Sequence, residues 1–270
     1  MRDAPSSTWP GGHRAALCVS IDVDGEWGEA NYRPADDIYW RSQTLYDATG
    51  TERLLTILAD TGVPATFCWV ANAAEQTPDL VRRAHGEGHE IALHSVDHRY
   101  YTSMSAADQR HDMEHTMKVL AELTGTVPVG HKTPGWRYTP ETFRIAQDLG
   151  LLWVMDQPSG DFPTLLQDDP DRSAVVNLPP SRWFDDYTYQ VDHVLTPAAW
   201  FDAWRDDLEV LRSEGGLMCL TLHPFVSGRP GPSRAIARLL DYAIDLGDIW
   251  IARADHIARW WLERDQRGVG

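Results

Sequence analysis

Positive charge is what this sequence has least of. Its 270 residues hold 24 lysines and arginines against 40 aspartates and glutamates, a formal charge of −16. Nucleic acid and anionic lipid are bound through clustered cations, so neither is an expected partner. Long apolar runs are missing as well. No stretch reaches the ~18 residues of a membrane span, and the opening MRDAPSSTWPGGHRAALCVSID lacks the continuous apolar core of a secretory signal. No membrane association is expected, and the expected setting is cytoplasmic. Cysteine is scarce: Cys18, Cys68 and Cys219 each lie inside an apolar run, which reads as reduced packing residues rather than a disulfide frame. No repeat, low-complexity tract or Gly/Ser linker cuts the chain, so a single domain over 1–270 is the economical reading. Tryptophan, by contrast, is plentiful at twelve. Such rings serve cores first and binding clefts second.

Short β-rich apolar runs alternate with amphipathic segments along most of the chain. Strands are expected at 15–21, 65–70, 90–93, 127–131, 151–155, 174–178, 216–222 and 249–252. Helical patterns fall at 51–61, 78–87, 105–124, 140–149, 197–214 and 232–246, with a last one near 255–263. Strand, helix and strand again is the pattern of a parallel sheet wrapped by helices. Segments 24–50 and 156–190 have no clear period and are rich in aromatic, acidic and proline residues. Loops of that length inside a compact domain are more often functional than idle.

The chemistry-bearing residues gather at expected strand ends. Extended alternation puts Asp22 and Asp24 of IDVDG on one side. Two adjacent carboxylates repel unless a cation holds them; a solvated turn with Gly25 is the other reading. HSVDH follows the strand at 90–93, and if Ser95 begins a helical turn, His94 and His98 share one face as metal ligands do. Two ordinary histidines would also fit. His223 ends the run LMCLTL, where Pro224 stops the strand; it reads as a rim residue or as a buried core histidine. Two further stretches, GHKTPGW with Lys132 and Trp136 and SRWFDDY with Trp183, Asp185 and Asp186, read alone as surface turns. The same four-residue histidine spacing recurs at His85/His89 and His111/His115. The first pair brackets a glycine turn at the far end of its strand and the second sits mid-helix among acids, so both read as structural.

The order Asp-x-Asp, HSxDH, Pro-Gly-Trp, Trp/Asp loop, LxLHP resembles the polysaccharide deacetylase superfamily, carbohydrate esterase family four, from about residue 15 to 261. DVDGE, WFDD and HPFVSGRPG look most like its cytoplasmic branch of peptidoglycan-deacetylase-like proteins, metal-independent allantoinases and cyclic imide hydrolases. The resemblance implies a distorted (β/α) barrel of fewer than eight parallel strands with its site at the C-terminal rim. It implies Asp24, His94 and His98 as ligands of one divalent metal, zinc above others, Asp22 as catalytic base and His223 as catalytic acid. A backbone N–H of the Trp136 loop would face the oxyanion. Lys132, Trp136, Trp183, Asp185 and Asp186 would bind substrate or orient the catalytic groups.

Two departures stand out. Val23 separates aspartates that are adjacent in secreted members, and Lys132 stands where an arginine usually braces the base. Which of Asp185 and Asp186 orients His223 is open at this stage. The implied activity is metal-dependent hydrolysis of a non-peptide amide bond. Its substrate would be a small cyclic amide or imide, or an N-acetylated sugar of the peptidoglycan or chitooligosaccharide kind. Cytoplasmic relatives imply a homo-oligomer. A barrel that only binds its ligand is the alternative of another class.

Overall fold

All nine residues of the first strand, β1 (Ala15–Val23), are buried, as a strand covered on both faces must be. The computed structural model describes residues 9–266 apart from 31, 33, 35, 168–171 and 190–194. Eight further strands follow among these: β2 (Thr66–Trp69), β3 (Glu90–Leu93), β4 (Gly130–His131), β5 (Trp153–Val154), β6 (Thr164–Leu166), β7 (Val175–Asn177), β8 (Leu217–Leu222) and β9 (Ile249–Ile251). Their order is β6-β7-β5-β4-β3-β2-β1-β8. The seven strands from β7 to β8 run parallel, and β6 joins the edge antiparallel to β7. β9 pairs with the start of β1, at Ala15↔Ile249, and β2 pairs with its end, at Ser20↔Thr66. The sheet curls into an open, distorted barrel.

Every expected strand is present. The edge strand β6 has no counterpart in the sequence reading, because three half-buried residues carry no readable alternation. The helices are α1 (Trp27–Ala30), α2 (Ile38–Gln43), α3 (Asp47–Thr61), α4 (Ala71–Gln76), α5 (Pro78–Gly86), α6 (Ala106–Thr124), α7 (Pro140–Asp148), α8 (Pro197–Glu214), α9 (Pro224–Ser227), α10 (Pro230–Leu246) and α11 (Ala254–Gln266). Local signals set their ends. The Ser105 hydroxyl accepts from Asp108 N to cap α6, and Gly125 at φ 73° closes it. α4 escaped the sequence reading because it follows β2 at once, with no turn residue between them. No helix among the described residues is long and apolar enough to cross a membrane.

Alternation along β1 divides the core. Leu17, Val19 and Ile21 face a cluster with Leu54 and Leu55 of α3, Trp204 and Leu208 of α8 and Leu239 of α10. Ala16 and Cys18 face the barrel interior with Cys68, Trp153, Cys219 and Ile257 of α11. The cysteines are buried free thiols, as expected. The same alternation carries Ser20 and Asp22 to the inner face at the strand's C-terminal end.

Candidate active site

Asp22 and Asp24 are each 3% exposed. A cation waits for the first. Lys132 follows β4, its N–H bonded to Leu93 O at 3.0 Å. Its Nζ lies 2.7 Å from Asp22 Oδ2 and 3.0 Å from Oδ1. The same ammonium donates to Thr221 Oγ1 at 3.0 Å and Ser20 Oγ at 3.4 Å. Three N–H groups thus find oxygen partners, so a lysine occupies the bracing position that the sequence left open. Burial opposes ionisation of Asp22, but Lys132 outweighs it, with His94 and His223, and holds the carboxyl below its usual range.

HSVDH is not helical. Ser95 and His98 both take left-handed backbone, at φ 68° and 60°, so the expected turn of helix is corrected to a folded-back loop. Left-handed conformations of such residues persist only where neighbours fix them. Ser95 O and Val96 O accept from Ala71 N and Asn72 N at 3.0 and 3.1 Å. His98 N donates to Ser95 Oγ at 2.8 Å, and Val96 N to Asp112 Oδ2 at 3.1 Å.

Both imidazoles are thereby aimed. His94 Nδ1 donates to Lys132 O at 2.8 Å. The Tyr32 hydroxyl donates to His98 O and so accepts from His98 Nδ1, 3.1 Å away. The ε-nitrogens are left as bare acceptors facing Asp24, at 3.4 Å for His94 and 3.5 Å for His98. One ligand atom from each of the three residues lies within 4.8 Å of the others. His94 Nε2 and Asp24 Oδ1 are buried without a hydrogen-bond partner. Buried polar atoms are rarely orphaned, and a carboxylate with two imidazoles pinned through their far nitrogens is a donor set for a divalent cation. The residues present fit the metal that the sequence implied. Burial pushes His98 down to about 4, so it is a neutral donor. Burial works against a charged His94 too, yet Asp22 and Asp24 hold it above its ordinary value. The site favours positive charge at that point.

His223 leaves β8 at the N-terminus of α9. Its Nδ1 donates to Asp186 Oδ1 at 2.7 Å and its backbone N–H to Asp186 Oδ2 at 2.8 Å; Ser227 Oγ also donates to Oδ2. Asp186 is therefore the aspartate that holds His223. Asp185 pairs beside Thr221 as an isolated bridge and accepts from Thr188 N at 3.0 Å; burial pushes its carboxyl up to about 6. For His223, burial is outweighed by Asp186, which lifts it well above its usual value. Its Nε2 lies 3.9 Å from Asp22 Oδ2.

The remaining expectations divide. Trp136 lines the cleft; its backbone N–H is bonded to Thr133 O at 3.1 Å and is not free for an oxyanion, while its indole Nε1 is buried without a hydrogen-bond partner. Trp183 is 63% exposed and outside the cleft lining, because the short turn Arg182–Phe184 points it to solvent and brings Arg182 to the lining instead. Its carbonyl accepts from Trp204 Nε1 at 2.9 Å. His89 Nδ1 accepts from Ala65 N, and His111 and His115 lie on the exposed face of α6, which is how structural histidines behave.

Two acids went unread. Asp156 Oδ1 takes both Thr133 N and Thr133 Oγ1 at 2.7 Å, fixing the Pro-Gly-Trp turn. It comes two residues after β5, so the strand-end criterion that found the others would have found it. Asp47, buried on α3, accepts from Gly25 N and Phe225 N and ties the turn after Asp24 to the turn after His223. Nothing in its sequence context marks it.

These groups open into one cleft of about 550 Å³ whose lining includes Tyr32, Tyr100, Tyr138, Tyr187 and Phe225. A curled parallel sheet with polar groups converging at its strand ends is an α/β barrel enzyme's arrangement. Residues 35–154 match the family model for polysaccharide deacetylase. A Mycobacterium smegmatis structure described as a polysaccharide deacetylase is 30% identical with a TM-score of 0.88, covering 96% of this chain and 93% of that one. Puue allantoinase is 26% identical with a TM-score of 0.86, over 96% and 94%. The Helicobacter pylori peptidoglycan deacetylase is 24% identical over 254 residues, 90% of this chain and 78% of its own. The chain belongs to the polysaccharide deacetylase family.

Proposed function

We propose that this chain is a metal-dependent hydrolase of a non-peptide amide C–N bond, acting on a small cyclic amide or imide or on an N-acetylated amino sugar. One observation carries the reading: a lysine-braced carboxylate, an Asp/His/His cage with buried unpartnered donor atoms and an aspartate-held histidine share one cleft. Asp24, His94 and His98 would hold the cation, with zinc the metal their donor set suits. When bound, such an ion acidifies water and polarises a carbonyl. Asp22, kept ionised by Lys132, takes the proton of the attacking water. His223, kept protonated by Asp186, delivers a proton to the departing nitrogen. Tyr32 and the Lys132 carbonyl keep His98 and His94 turned toward Asp24.

An aromatic-lined cleft of this volume suits a small molecule, and the whole-chain likeness to Puue allantoinase supports a cyclic amide. The Helicobacter pylori relative supports the N-acetyl glycan reading. A ligand-binding barrel without turnover is disfavoured, because every expected catalytic position keeps a competent side chain. The cytoplasmic setting and a homo-oligomeric state belong to the same proposal. The test sets zinc-loaded protein and a chelated control against two panels. One is N-acetylglucosamine oligomers scored by acetate release; the other is imides, hydantoins and allantoin scored by ring loss. Chelator-sensitive ring opening is expected. Acetate release would assign a deacetylase, and stoichiometric binding without turnover would sink the enzyme reading.

A further inference from the structure

The exposed charge at the cleft mouth is opposite in sign to the charge of the chain. The four carboxylates that line it, Asp22, Asp24, Asp156 and Asp185, are all buried. Each already has work inside: with Lys132, with the two histidines, with Thr133 and with Thr188. The exposed charged residues in the lining are Arg137 and Arg182, and none is acidic. In a chain of formal charge −16, a random rim would carry acids.

Many arginines of the chain are already ion-paired within it. Arg83 pairs with Glu87, Arg110 with Asp148, Arg144 with Glu141 and Arg205 with Asp206. The Arg137 guanidinium has no carboxylate partner among the described residues and lies 5.7 Å over the Tyr100 ring. Tyr100 stacks on Tyr32 at 4.2 Å, and Tyr32 bonds His98. The Arg137 backbone is pinned on both sides: its N–H donates to Pro134 O at 3.1 Å and its carbonyl accepts from Thr102 N at 3.2 Å. A guanidinium held over a ring, with no carboxylate engaging it, keeps its N–H fork available, and that fork matches a planar anion.

We propose that Arg137 forms an anion subsite at the mouth of the cleft, so that the amide substrate carries a carboxylate away from its scissile bond. The proposal rests on the hydrolase reading for where the amide lies, but its first test is binding, which does not require turnover.

Two matched pairs separate the scaffolds that could bear the carboxylate: hydantoin with hydantoin-5-acetate, and N-acetylglucosamine with N-acetylmuramate. Calorimetric titration of zinc-loaded wild-type protein is expected to show the carboxylated member of one pair bound about tenfold tighter or more. Added salt should erode that ratio. In Arg137→Ala the ratio should collapse toward one, and Arg137→Lys should recover part of it, because a point charge lacks the fork. A ratio unchanged in Arg137→Ala, or no carboxylate preference by the wild type on either scaffold, overturns the proposal. Preference without any turnover would keep the subsite and defeat the enzyme reading. Chelator-sensitive turnover with equal KM for both members would do the reverse.

Discussion

Replacing Asp186 by asparagine removes one negative charge from behind His223 while keeping a side chain of the same shape. In the native site one Asp186 oxygen accepts from His223 Nδ1 at 2.7 Å and the other from the His223 N–H at 2.8 Å. A hydrogen bond to a charged group contributes about 1.5–3 kcal/mol, and about 1.4 kcal/mol corresponds to one pH unit. The His223 pKa should therefore fall by about one to two units. The sign follows from the role: the acid must be protonated, so the alkaline limb of kcat/KM against pH moves down by that amount. The acidic limb, set by Asp22, stays in place. Stability is linked to the same proton. Because Asp186 raises the folded-state pKa of His223, the stabilisation is complete below the unfolded value of about 6.5 and fades as pH rises through the folded one. The gap in Tm between wild type and Asp186→Asn should be widest in mild acid and narrow toward alkaline pH. The assay is a pH series on zinc-loaded protein with whichever panel amide turns over, paired with thermal unfolding across the same range. A folded Asp186→Asn protein whose alkaline limb does not move would refute the assignment of His223 as the acid.

Four further outcomes follow from the same geometry. Asp22→Asn should lose about 10²–10⁴ in kcat and keep its zinc by elemental analysis; loss of the ion would reverse the division of labour between the two aspartates. Lys132→Met strands a buried carboxylate, which costs about 3–5 kcal/mol, and urea titration should show that loss alongside collapsed activity. Gly130→Ala drives a methyl to 1.9 Å from the Trp153 ring, so a drop of about 1–3 kcal/mol is expected in the same titration. Zinc stoichiometry should fall to zero in His94→Ala and stay at wild-type level in His111→Ala/His115→Ala; retention in the first variant would move the ion elsewhere.

Position at a strand end made the centre readable. Asp22, His94, Lys132 and His223 each follow an apolar run, and the sheet brings those ends together whatever the helices do. The conformation of HSVDH was not readable, because a four-residue spacing fits a helical turn and a left-handed loop alike. Asp112, Tyr32 and the α4 amides, distant in sequence, help decide between them. Asp47 was invisible for a related reason: its partners are backbone amides, which carry no residue signature. Trp183 was misplaced because an aromatic in an acidic loop looks the same whether it points into a cleft or away. The pairing of His223 with Asp186 rather than Asp185 depends on the bridge beside Thr221, a register that one sequence does not reveal.

The central place of β1 sets a timetable. Its end pairs with β2, but its other edge and its first residues are completed by β8 and β9, from the last quarter of the chain. At about 5–20 residues per second on the ribosome, roughly 200 residues separate Asp22 from Thr221 and His223, an interval of about 10–40 s. Throughout it Asp22, on the strand, and Asp24, just beyond it, lie at an unfinished sheet edge. Lys132 arrives midway and His223 near the end. On the proposed mechanism, a nascent or prematurely released chain carries the first motifs without the full set of catalytic groups, which is completed only when β8 and His223 arrive.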